Sequence, residues 1–489
     1  MAVRRVVVVG AGLTGLVAAR ELAKDNRFEV ICLEASERVG GQINTRPIDG
    51  AQVDVGAEAA HLGAPQVAAL VRELGLDGSV VAAAPGGSVM ATRKGLRPLP
   101  AGVGPTGPTR ILPVLKSGIL TPLGILRAGL EPVMARRTFP EDIAVGAFTE
   151  RRFGTEVTDT FVDPLLGNLH GGDVHQLSLQ ATAPQLAPDA ANGVSLLLKN
   201  LKLPAPIARV AGRVLPSLAP QAAPPASGRP TQGGSPLPMF ATWPNGLQAL
   251  TTALAEQSAA SLRTSCPVTA LERRDDRWDV VLESGERIAA DEVLLTTPGR
   301  VSAKLLRPHC PEAAALYDAV PTASVATVVL AYPPEAAARN RILRDHNGIL
   351  LPSKRVRTFK AATNLSRKWP RLGATHHLVR ASVGRITTTM ADDLTDEQLT
   401  TRVTDELAEL TGLDARPVLQ QVHRWPASMP QLQPGHKQRV ATAREALSGV
   451  GGLHIAGCAV DGLGIGSTVK SGQQAAQQII NTPADKEEQ

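Results

Sequence analysis

The chain has 489 residues, of which 43% are hydrophobic and 20% are charged, and its formal net charge is +6. This composition is that of an ordinary globular protein, and the length predicts two or three domains. A transmembrane or disulfide-stabilised protein is not indicated, because no apolar run could span a bilayer, no signal peptide precedes the first apolar strand and the four cysteines lack CxxC spacing. We therefore predict a cytoplasmic protein. No metal site is expected, since the ten histidines are scattered.

Basic residues are concentrated in the middle of the chain. Residues 93–137 contain eight basic side chains and one acidic one, and residues 199–239 contain five basic and no acidic ones. This asymmetry favours an anionic partner, the alternative being a solvated surface that is merely basic. We predict no nucleic-acid partner. Because only 3% of the residues are aromatic, any pocket must be lined mainly by aliphatic side chains.

The first predicted elements are a strand, a turn, a helix and a second strand. The run RRVVVV is typical of a buried parallel strand, LTGLVAARELAK has helical spacing, and FEVICLE is a second apolar strand. Residues 100–140 contain apolar helical pieces between Pro and Gly residues, and residues 144–169 indicate a helical hairpin. The Pro-rich, Ala-rich and Gly-rich segment 203–238 predicts a long exposed loop.

The second half of the chain predicts further alternation of strands and helices. PNGLQALTTALAEQ predicts a helix, and WDVVLESGERIAADEVLLTTP predicts a hairpin followed by a buried strand. TDEQLTTRVTDELAELTGL predicts an amphipathic helix with a Thr/Gln capping box at its start. The chain closes on GLHIAGCAVDGLGIGSTVKSGQQAA, a strand, a glycine-rich turn and a helix. Such a turn thus occurs at both ends of the protein.

The N-terminal turn carries the most specific motif. Gly10, Gly12 and Gly15 form G-x-G-x-x-G between a strand and a helix, and Glu34 lies at the end of the next strand. Such glycines let the backbone approach a pyrophosphate, and the acidic residue binds ribose hydroxyls. The motif therefore predicts a dinucleotide site, because a merely glycine-rich turn would leave Glu34 unexplained.

A second turn, Arg38-Val39-Gly40-Gly41, follows closely, and here the sequence resembles the FAD-dependent amine oxidase superfamily. The resemblance implies that the C-terminal turn returns to the same cofactor, so that both ends of the chain hold one FAD molecule. The cofactor-binding residues implied by the motif and the resemblance are Gly10, Ala11, Gly12, Leu13, Thr14, Gly15, Glu34, Ala35, Arg38, Gly40, Gly41, Gln42, Gly56, Ala57, Glu58, Val268, Thr297, Trp425, Gly457, Gly462, Gly464, Ile465 and Gly466.

Within that superfamily the chain resembles the oxygen-dependent porphyrinogen oxidases of haem synthesis. The similarity lies in RRFGTEVTDTFVDPLLGNLHGGD, FATWPNGLQAL, KWP and HRWPASMPQLQPGH, in this order. The chain departs from the family at Leu169-His170, where an aromatic residue is usual, and at Gly466-Ser467, where Pro-Asp is usual. A basic residue and an aromatic one are also missing near Ser88 and Ala91. These departures concern the substrate region more than the flavin site.

The resemblance implies a six-electron oxidation of a porphyrinogen to a porphyrin. Hydride passes to flavin N5 in each of three rounds, and molecular oxygen reoxidises the flavin with release of H2O2. No catalytic side chain is assigned, although His170 is a candidate proton acceptor and is otherwise a helix-end residue. An anionic substrate calls for cations at the pocket rim. The candidate substrate residues are Lys94, Arg97, Lys116, Arg127, Leu169 and His170.

Four propionates on coproporphyrinogen III suit a basic pocket better than the two on protoporphyrinogen IX, so coproporphyrin III is the expected product. Protoporphyrinogen IX oxidation remains open, as does oxidation of an amine or a secondary metabolite. A flavin-free escort protein for prenylated GTPases is a further alternative. The resemblance also implies peripheral membrane contact through residues 100–140. The sequence does not indicate an oligomeric state.

The expected fold class is α/β, with a Rossmann-type FAD-binding domain, a mixed-sheet substrate domain and a helical subdomain. We assign residues 1–68, 240–300 and 420–481 to the FAD-binding domain. The substrate domain takes residues 69–95, 185–239 and 301–419, the helical subdomain takes residues 96–184, and residues 482–489 form a tail.

Overall fold

A computed structural model describes residues 3–199, 237–372 and 374–482. All but the last two residues of the predicted loop 203–238, and all but the first residue of the predicted tail 482–489, lie outside the described residues. The structure is a mixed α/β fold in which the predicted Rossmann-type sheet is present.

This parallel sheet has five strands with the first strand of the chain at its centre. Arg4–Val9 pairs with Phe28–Leu33 on one side and with Glu292–Leu295 on the other. In spatial order the strands are Ser261–Arg263, Phe28–Leu33, Arg4–Val9, Glu292–Leu295 and Leu453–Ile455. Both strands predicted near the N-terminus are confirmed, as is the strand predicted close to the C-terminus.

Helices cover both faces of the parallel sheet, which explains why its central strand is apolar throughout. Val6 and Val8 point into one core, whereas Val7 and Val9 point into a second core on the opposite face. The first helix, Leu13–Leu22, and the last helix, Ile465–Asn481, pack on the first of these faces. The helices of the second face are Gly299–Leu306, Pro311–Asp318 and His436–Val450.

The first and last helices approach each other closely at Gly472. A Cβ atom at Gly472 would lie 2.5 Å from the carbonyl oxygen of Thr14, so only glycine permits this spacing. The hydroxyl of Thr14 donates a hydrogen bond to the carbonyl of Thr468 at 3.2 Å. The two ends of the chain are therefore neighbours in the folded protein.

A second, seven-stranded sheet is antiparallel except for the pairing of Gly348–Leu350 with Ser88–Thr92. Its strands, in spatial order, are Leu419–Pro430, Thr322–Tyr332, His377–Val383, Phe359–Asn364, Gly348–Leu350, Ser88–Thr92 and Gly95–Pro98. The helix Asp396–Thr411 covers one face and begins with the predicted capping box between Thr395 and Gln398.

The topology bears on the predicted domain boundaries. The strand Leu419–Pro430 pairs with Thr322–Tyr332, so it belongs to the seven-stranded sheet, although the prediction assigned residues from 420 onward to the FAD-binding domain. The division into three domains otherwise stays a prediction.

Smaller sheets connect the two large ones. The predicted hairpin is confirmed as Arg277–Leu282 and Arg287–Ala290, and Val268–Arg274 adds a third antiparallel strand. The remaining strands are Thr45–Ile48 with Ala51–Asp54, Ala60–His61 with Phe240–Thr242 and Val81–Ala82, and Val103–Gly104 with Gly107–Pro108. The helix predicted from PNGLQALTTALAEQ is confirmed as Gln248–Glu256.

Residues 111–199 form a helical region with its own apolar core. The segment predicted as a hairpin contains the helix Val145–Phe153, a break at Gly154 with φ 95°, and a ten-residue π-helix, Thr158–Gly167. The other helices here are Ile111–Ser117, Pro122–Gly129, Glu131–Met134, Thr155–Val157, Asn168–His170, Leu179–Thr182, Pro184–Leu186 (3-10), Ala187–Ala191 and Leu196–Lys199.

Short helices complete the described chain. They are Pro65–Glu73, Asp77–Ser79 (3-10), Pro334–Arg339, Arg341–Asp345, Ser353–Arg355 (3-10), Leu365–Lys368, Met390–Asp393 and Cys458–Asp461. Across residues 3–199, 237–372 and 374–482, no helix combines the length and the apolar character needed to cross a bilayer.

Candidate functional site

The predicted glycine motif forms a tight turn between the first strand and the first helix. The amide of Gly10 donates to the carbonyl of Leu33 at 2.7 Å, and Gly10 has φ 104°. A Cβ atom at Gly15 would lie only 1.9 Å from the Gly10 carbonyl oxygen. Thr296, which sequence analysis missed, donates its hydroxyl to the same carbonyl at 2.8 Å. Gly10 and Gly15 are thus required by the fold itself.

Gly12 differs from its two neighbours in the motif. No atom lies within 4 Å of the position that a Cβ would take there, and φ is −68°, which any residue can adopt. The protein therefore does not need glycine at this position for its own packing. Because Gly12 precedes the N-terminus of the first helix, the open space faces unpaired backbone N–H groups that favour an anion.

Glu34 lies beside this turn, as the spacing predicts. One carboxylate oxygen accepts from the amide of Ala11 at 2.9 Å, and the other accepts from the amide and the hydroxyl of Ser36. The oxygen that accepts from Ala11 retains a lone pair for a further donor, whereas the other already accepts two hydrogen bonds. Ala35 follows directly, and the amide of Cys266, two residues before Val268, donates to the Glu34 carbonyl. This placement suits a carboxylate that binds ribose hydroxyls.

The second glycine turn lies against the first. Gly40 and Gly12 form an isolated parallel bridge, and a Cβ at Gly41 would lie 3.2 Å from the Cα of Gly12. Arg38 donates to the backbone carbonyls of Val39, Gly41 and Ile43. Burial, together with the charge of Arg46, lowers the pKa of Arg38. Its described contacts therefore stabilise the turn itself.

A third group of predicted residues meets at Gly56. A Cβ there would lie 2.0 Å from the Gln42 carbonyl oxygen and 3.1 Å from the Trp425 ring. The amide of Ala57 donates to the same Gln42 carbonyl, and the side-chain amide of Gln42 donates to the Ser428 carbonyl at 2.6 Å. Gln42, Gly56, Ala57 and Trp425, which are far apart in sequence, are thus brought together.

The carboxylate of Glu58 is fully engaged by protein groups. It accepts from Lys368 at 2.6 Å, from the Trp369 indole at 2.9 Å and from Arg380 at 2.5 Å. Burial alone would raise the pKa of Glu58, but the charges of Lys368 and Arg380 outweigh it and lower the pKa to about 2. Arg380 also donates to the carbonyl of Gly56. The side chain of Glu58 therefore holds this segment in place.

The C-terminal turn reaches the N-terminal one. A Cβ at Gly457 would lie 3.8 Å from the Thr296 carbonyl oxygen and 3.9 Å from the Thr14 hydroxyl. The Gly457 amide donates to the hydroxyl of Ser471, which in turn donates to Asp461. The two glycine-rich turns of the sequence are therefore neighbours in the folded protein.

The rest of the C-terminal prediction lies at the start of the last helix. Gly462 has φ 111°, Gly464 precedes the helix, and Ile465 is its first residue. The carbonyl of Gly466 accepts from the side chain of Gln66 at 3.0 Å. Thr297 is adjacent to Thr296, and its hydroxyl shares a hydrogen bond with Ser302. Taken together, these glycine turns fit a dinucleotide, because they leave open space at Gly12 beside the Glu34 carboxylate.

The predicted basic rim is not supported by the described contacts. Lys94, Arg97 and Lys116 are exposed. The guanidinium of Arg127 donates to the carbonyls of Glu150, Arg151 and Arg152, which end the helix Val145–Phe153. We therefore correct the assignment of Arg127 to the rim: it caps a helix, because the last carbonyls of a helix lack intrahelical partners.

Leu169 and His170 lie at the end of the helix that follows the π-helix. Leu169 is 66% exposed, whereas His170 is buried beside Gly171. Burial and the positive charge of Lys360 lower the pKa of His170 to about 4, so its imidazole is neutral near pH 7. A histidine with this pKa is a weak proton acceptor.

His170 adjoins a buried polar cluster that sequence analysis missed. Arg385 donates to Asp163 at 2.9 Å and to Asn168 at 3.0 Å. The side chain of Asn168 donates to the carbonyl of Lys360 at 2.9 Å. The π-helix carries Asp163, and the turn of helix after it carries Asn168. No sequence motif marks Arg385 or Lys360, because both look like ordinary surface cations. Within the described residues, no three His, Cys, Asp or Glu side chains are grouped closely enough to hold a metal ion.

Comparison with known proteins gives full-length matches. Residues 13–480 match the family model described as flavin containing amine oxidoreductase. The coproporphyrinogen III oxidase of Bacillus subtilis is 30% identical, and the alignment covers 98% of each chain. That of Propionibacterium freudenreichii is 31% identical over 97% of this chain and 90% of the relative. The crystal structure of a putative protoporphyrinogen oxidase from Exiguobacterium has a TM-score of 0.81 at 25% identity, covering 98% and 99% of the two chains.

The ion pairs of Glu58 predict a specific acid sensitivity. A carboxylate whose pKa is lowered by folding stabilises the protein above its unfolded pKa near 4.5, and this contribution disappears as the pH falls toward 2. Glu58→Gln should therefore lower the melting temperature at pH 7 through a loss of roughly 3 kcal/mol, and the difference from the wild type should shrink on acidification to about pH 3. Melting temperatures across this pH range test the expectation.

Glu335→Gln is the matched control, because Glu335 is an exposed glutamate. Its melting temperature should follow the wild type at every pH. A Glu58→Gln variant with the melting temperature of the wild type at pH 7 would show that the ion pairs contribute nothing to stability, and a constant difference from pH 7 to pH 3 would contradict the lowered pKa of Glu58.

Proposed function

Since the chain belongs to the flavin-containing amine oxidoreductase family and is an FAD-dependent oxidase, we propose that it oxidises a porphyrinogen to a porphyrin in haem biosynthesis. The observation that carries this proposal is the end-to-end similarity to proteins named coproporphyrinogen III oxidase, which covers 98% of this chain and of the Bacillus subtilis relative. The fold, in which the glycine-rich turns from both ends of the chain are neighbours, supports it.

We assign the FAD contacts to three groups of residues. The Gly10–Gly15 turn would hold the pyrophosphate at the N-terminus of the first helix, and Glu34 would accept hydrogen bonds from the ribose. The C-terminal turn from Gly457 to Gly466, which lies beside Thr14 and Thr296, would contact the same cofactor. Gln42, Gly56, Ala57 and Trp425 would border the ring system, held in place by the ion pairs of Glu58.

The chemistry divides between cofactor and protein. Bound FAD supplies the two-electron oxidation, and the protein binds and orients the substrate and excludes water. Three such rounds remove six electrons and six protons from a porphyrinogen, and three molecules of O2 accept them to give three H2O2. His170 is neutral near pH 7, and we assign it no obligatory proton transfer.

The open space at Gly12 predicts that a larger side chain at this position removes the cofactor without unfolding the protein. A valine there has room in the protein, but its side chain would occupy the space assigned to the pyrophosphate. Gly12→Val should therefore fold and lose FAD, with the bound fraction reduced at least tenfold. Flavin absorbance per protein and circular dichroism of the purified variant measure both effects.

Gly104→Val is the matched control, because Gly104 likewise has no atom within 4 Å of a Cβ and lies in the short hairpin Val103–Gly104 with Gly107–Pro108. This variant should keep its FAD. A Gly12→Val protein that retains the wild-type flavin content would contradict the assignment of the pyrophosphate to this turn.

We propose coproporphyrinogen III as the substrate, with coproporphyrin III and H2O2 as products. Four relatives with this name are 28–31% identical to this protein over 97–98% of the chain. A rice chloroplast protein named protoporphyrinogen oxidase is 27% identical over 97% of the chain. The greater similarity to the first group supports the tetracarboxylate. Protoporphyrinogen IX is the second candidate, because the Exiguobacterium structure with a TM-score of 0.81 is titled a putative protoporphyrinogen oxidase.

Purified enzyme should convert coproporphyrinogen III to its porphyrin in air faster than autoxidation, and faster than it converts protoporphyrinogen IX. Porphyrin fluorescence measures the product, and an oxygen electrode with a peroxide assay should give about three H2O2 per porphyrin. Heat-denatured enzyme is the control. Faster turnover of protoporphyrinogen IX would reverse the substrate assignment, and oxidation of amines but of neither porphyrinogen would refute the proposed function.

We also propose that the helical region contacts membrane surfaces peripherally. Seven large apolar side chains are exposed between residues 111 and 134: Leu112, Leu115, Leu123, Leu126, Leu130, Val133 and Met134. Lys116, Arg136 and Arg137 are exposed nearby in sequence. Apolar side chains next to cations are typical of surfaces that bind anionic lipid. The cytoplasmic location stays a prediction.

This surface predicts binding to anionic vesicles. The wild type should co-sediment with vesicles that contain phosphatidylglycerol more than with pure phosphatidylcholine vesicles, and Leu123→Asp with Leu126→Asp should reduce binding about tenfold or more. Val418→Asp is the control, since Val418 is 57% exposed elsewhere on the protein. Equal sedimentation of the double variant and the wild type would refute membrane contact through these helices.

A further inference from the structure

Lys360 is a buried cation without a compensating partner. It lies on the strand Phe359–Asn364 and is 3% exposed. Its ammonium group forms no hydrogen bond or ion pair with any residue in the described part of the chain. Burial, together with the charge of Arg385, lowers the pKa of Lys360 to about 7. Because burying an unpaired charge costs stability, this lysine calls for an explanation.

The neighbouring groups cannot neutralise Lys360. The acidic group of the cluster, Asp163, is bound to Arg385 and also accepts from the amide of Ser353. Arg385 is itself a cation. His170 is neutral near pH 7, since its pKa is lowered by burial and by Lys360 itself. The surroundings of Lys360 thus repel a second cation and attract an anion.

The ammonium group lies on the side of the seven-stranded sheet that faces the proposed flavin contacts. Its nitrogen is 3.3 Å from the Cβ position of Gly171, a position that also contacts Val325 at 3.5 Å and Met429 at 3.6 Å. Val325 pairs in register with Trp425. Met429 follows Ser428, whose carbonyl accepts from Gln42. Lys360 is therefore connected to the Gln42 and Trp425 group through two adjacent strands.

We propose that Lys360 binds a carboxylate of the substrate and so fixes the orientation of the macrocycle relative to the cofactor. This inference rests on the proposed function, in which the substrate carries propionates. A charge-assisted hydrogen bond formed in a buried position is strong, whereas ion pairs with exposed lysines contribute little. In this proposal Lys360, rather than the exposed Lys94, Arg97 and Lys116, is the main residue that binds the anionic groups of the substrate.

The test compares an acid with its uncharged ester. Coproporphyrin III and coproporphyrin III tetramethyl ester are titrated into holoenzyme, in the same detergent concentration, and binding is followed by porphyrin fluorescence. Lys360→Met should weaken binding of the acid about tenfold to a hundredfold and leave binding of the ester within about twofold. Lys94→Met, which removes an exposed cation, should leave both affinities within about twofold.

A purely structural role for Lys360 would give a different pattern. Because Met removes an uncompensated buried charge, Lys360→Met should keep its FAD and have a melting temperature equal to or above that of the wild type. Lys360→Gln is the second variant and should show the same selective loss of the acid. Loss of flavin in both variants, or equal loss of acid and ester, would overturn the proposal.

Failure of the proposed function is distinguishable from failure of this inference. If the wild type neither oxidises a porphyrinogen nor binds coproporphyrin III, the function is refuted and the inference with it. If the wild type is active and the KM for coproporphyrinogen III is unchanged in both Lys360 variants, only the role of Lys360 is refuted.

Discussion

The close packing of the first helix against the last one brings the two ends of the chain together at the proposed cofactor site. Gly472 lets the last helix pack within van der Waals distance of Thr14 in the first helix, and Gly457 is thereby placed beside Thr296. Thr296, which follows the strand Glu292–Leu295, also donates a hydrogen bond to the carbonyl of Gly10. The end of this strand therefore contacts both glycine turns. In the proposed site a dinucleotide would contact residues separated by more than 400 positions, so cofactor binding and the association of the chain ends would stabilise each other.

The second sheet is joined to this site by buried charges. Glu58 follows the Gly56-Ala57 segment, and its partners Lys368 and Arg380 belong to the seven-stranded sheet and the helix beside it. Removing one partner of such a pair leaves an uncompensated charge, so the arrangement is rigid once formed. The wall assigned to the flavin ring and the strands assigned to the substrate are consequently held in a fixed relation, as hydride transfer requires.

Cations have three distinct roles in this protein. Arg127 caps a helix, Arg380 and Arg385 stabilise buried carboxylates, and the ammonium group of Lys360 has no hydrogen-bond or ion-pair partner within the described residues. The net positive charge of the sequence therefore does not identify the substrate site by itself. Position decides the role, because a charge in a low-dielectric environment interacts more strongly than the same charge in solvent.

The sequence alone determined the parallel sheet, the dinucleotide turn and the family. Gly10, Gly15 and Glu34 act through local backbone geometry at fixed spacing, and apolar periodicity predicts buried strands. The ion pairs of Glu58, the helix-capping role of Arg127 and the burial of Lys360 became visible only in the folded structure. These outcomes depend on contacts between distant segments, and a charged side chain carries no local pattern that tells burial from exposure.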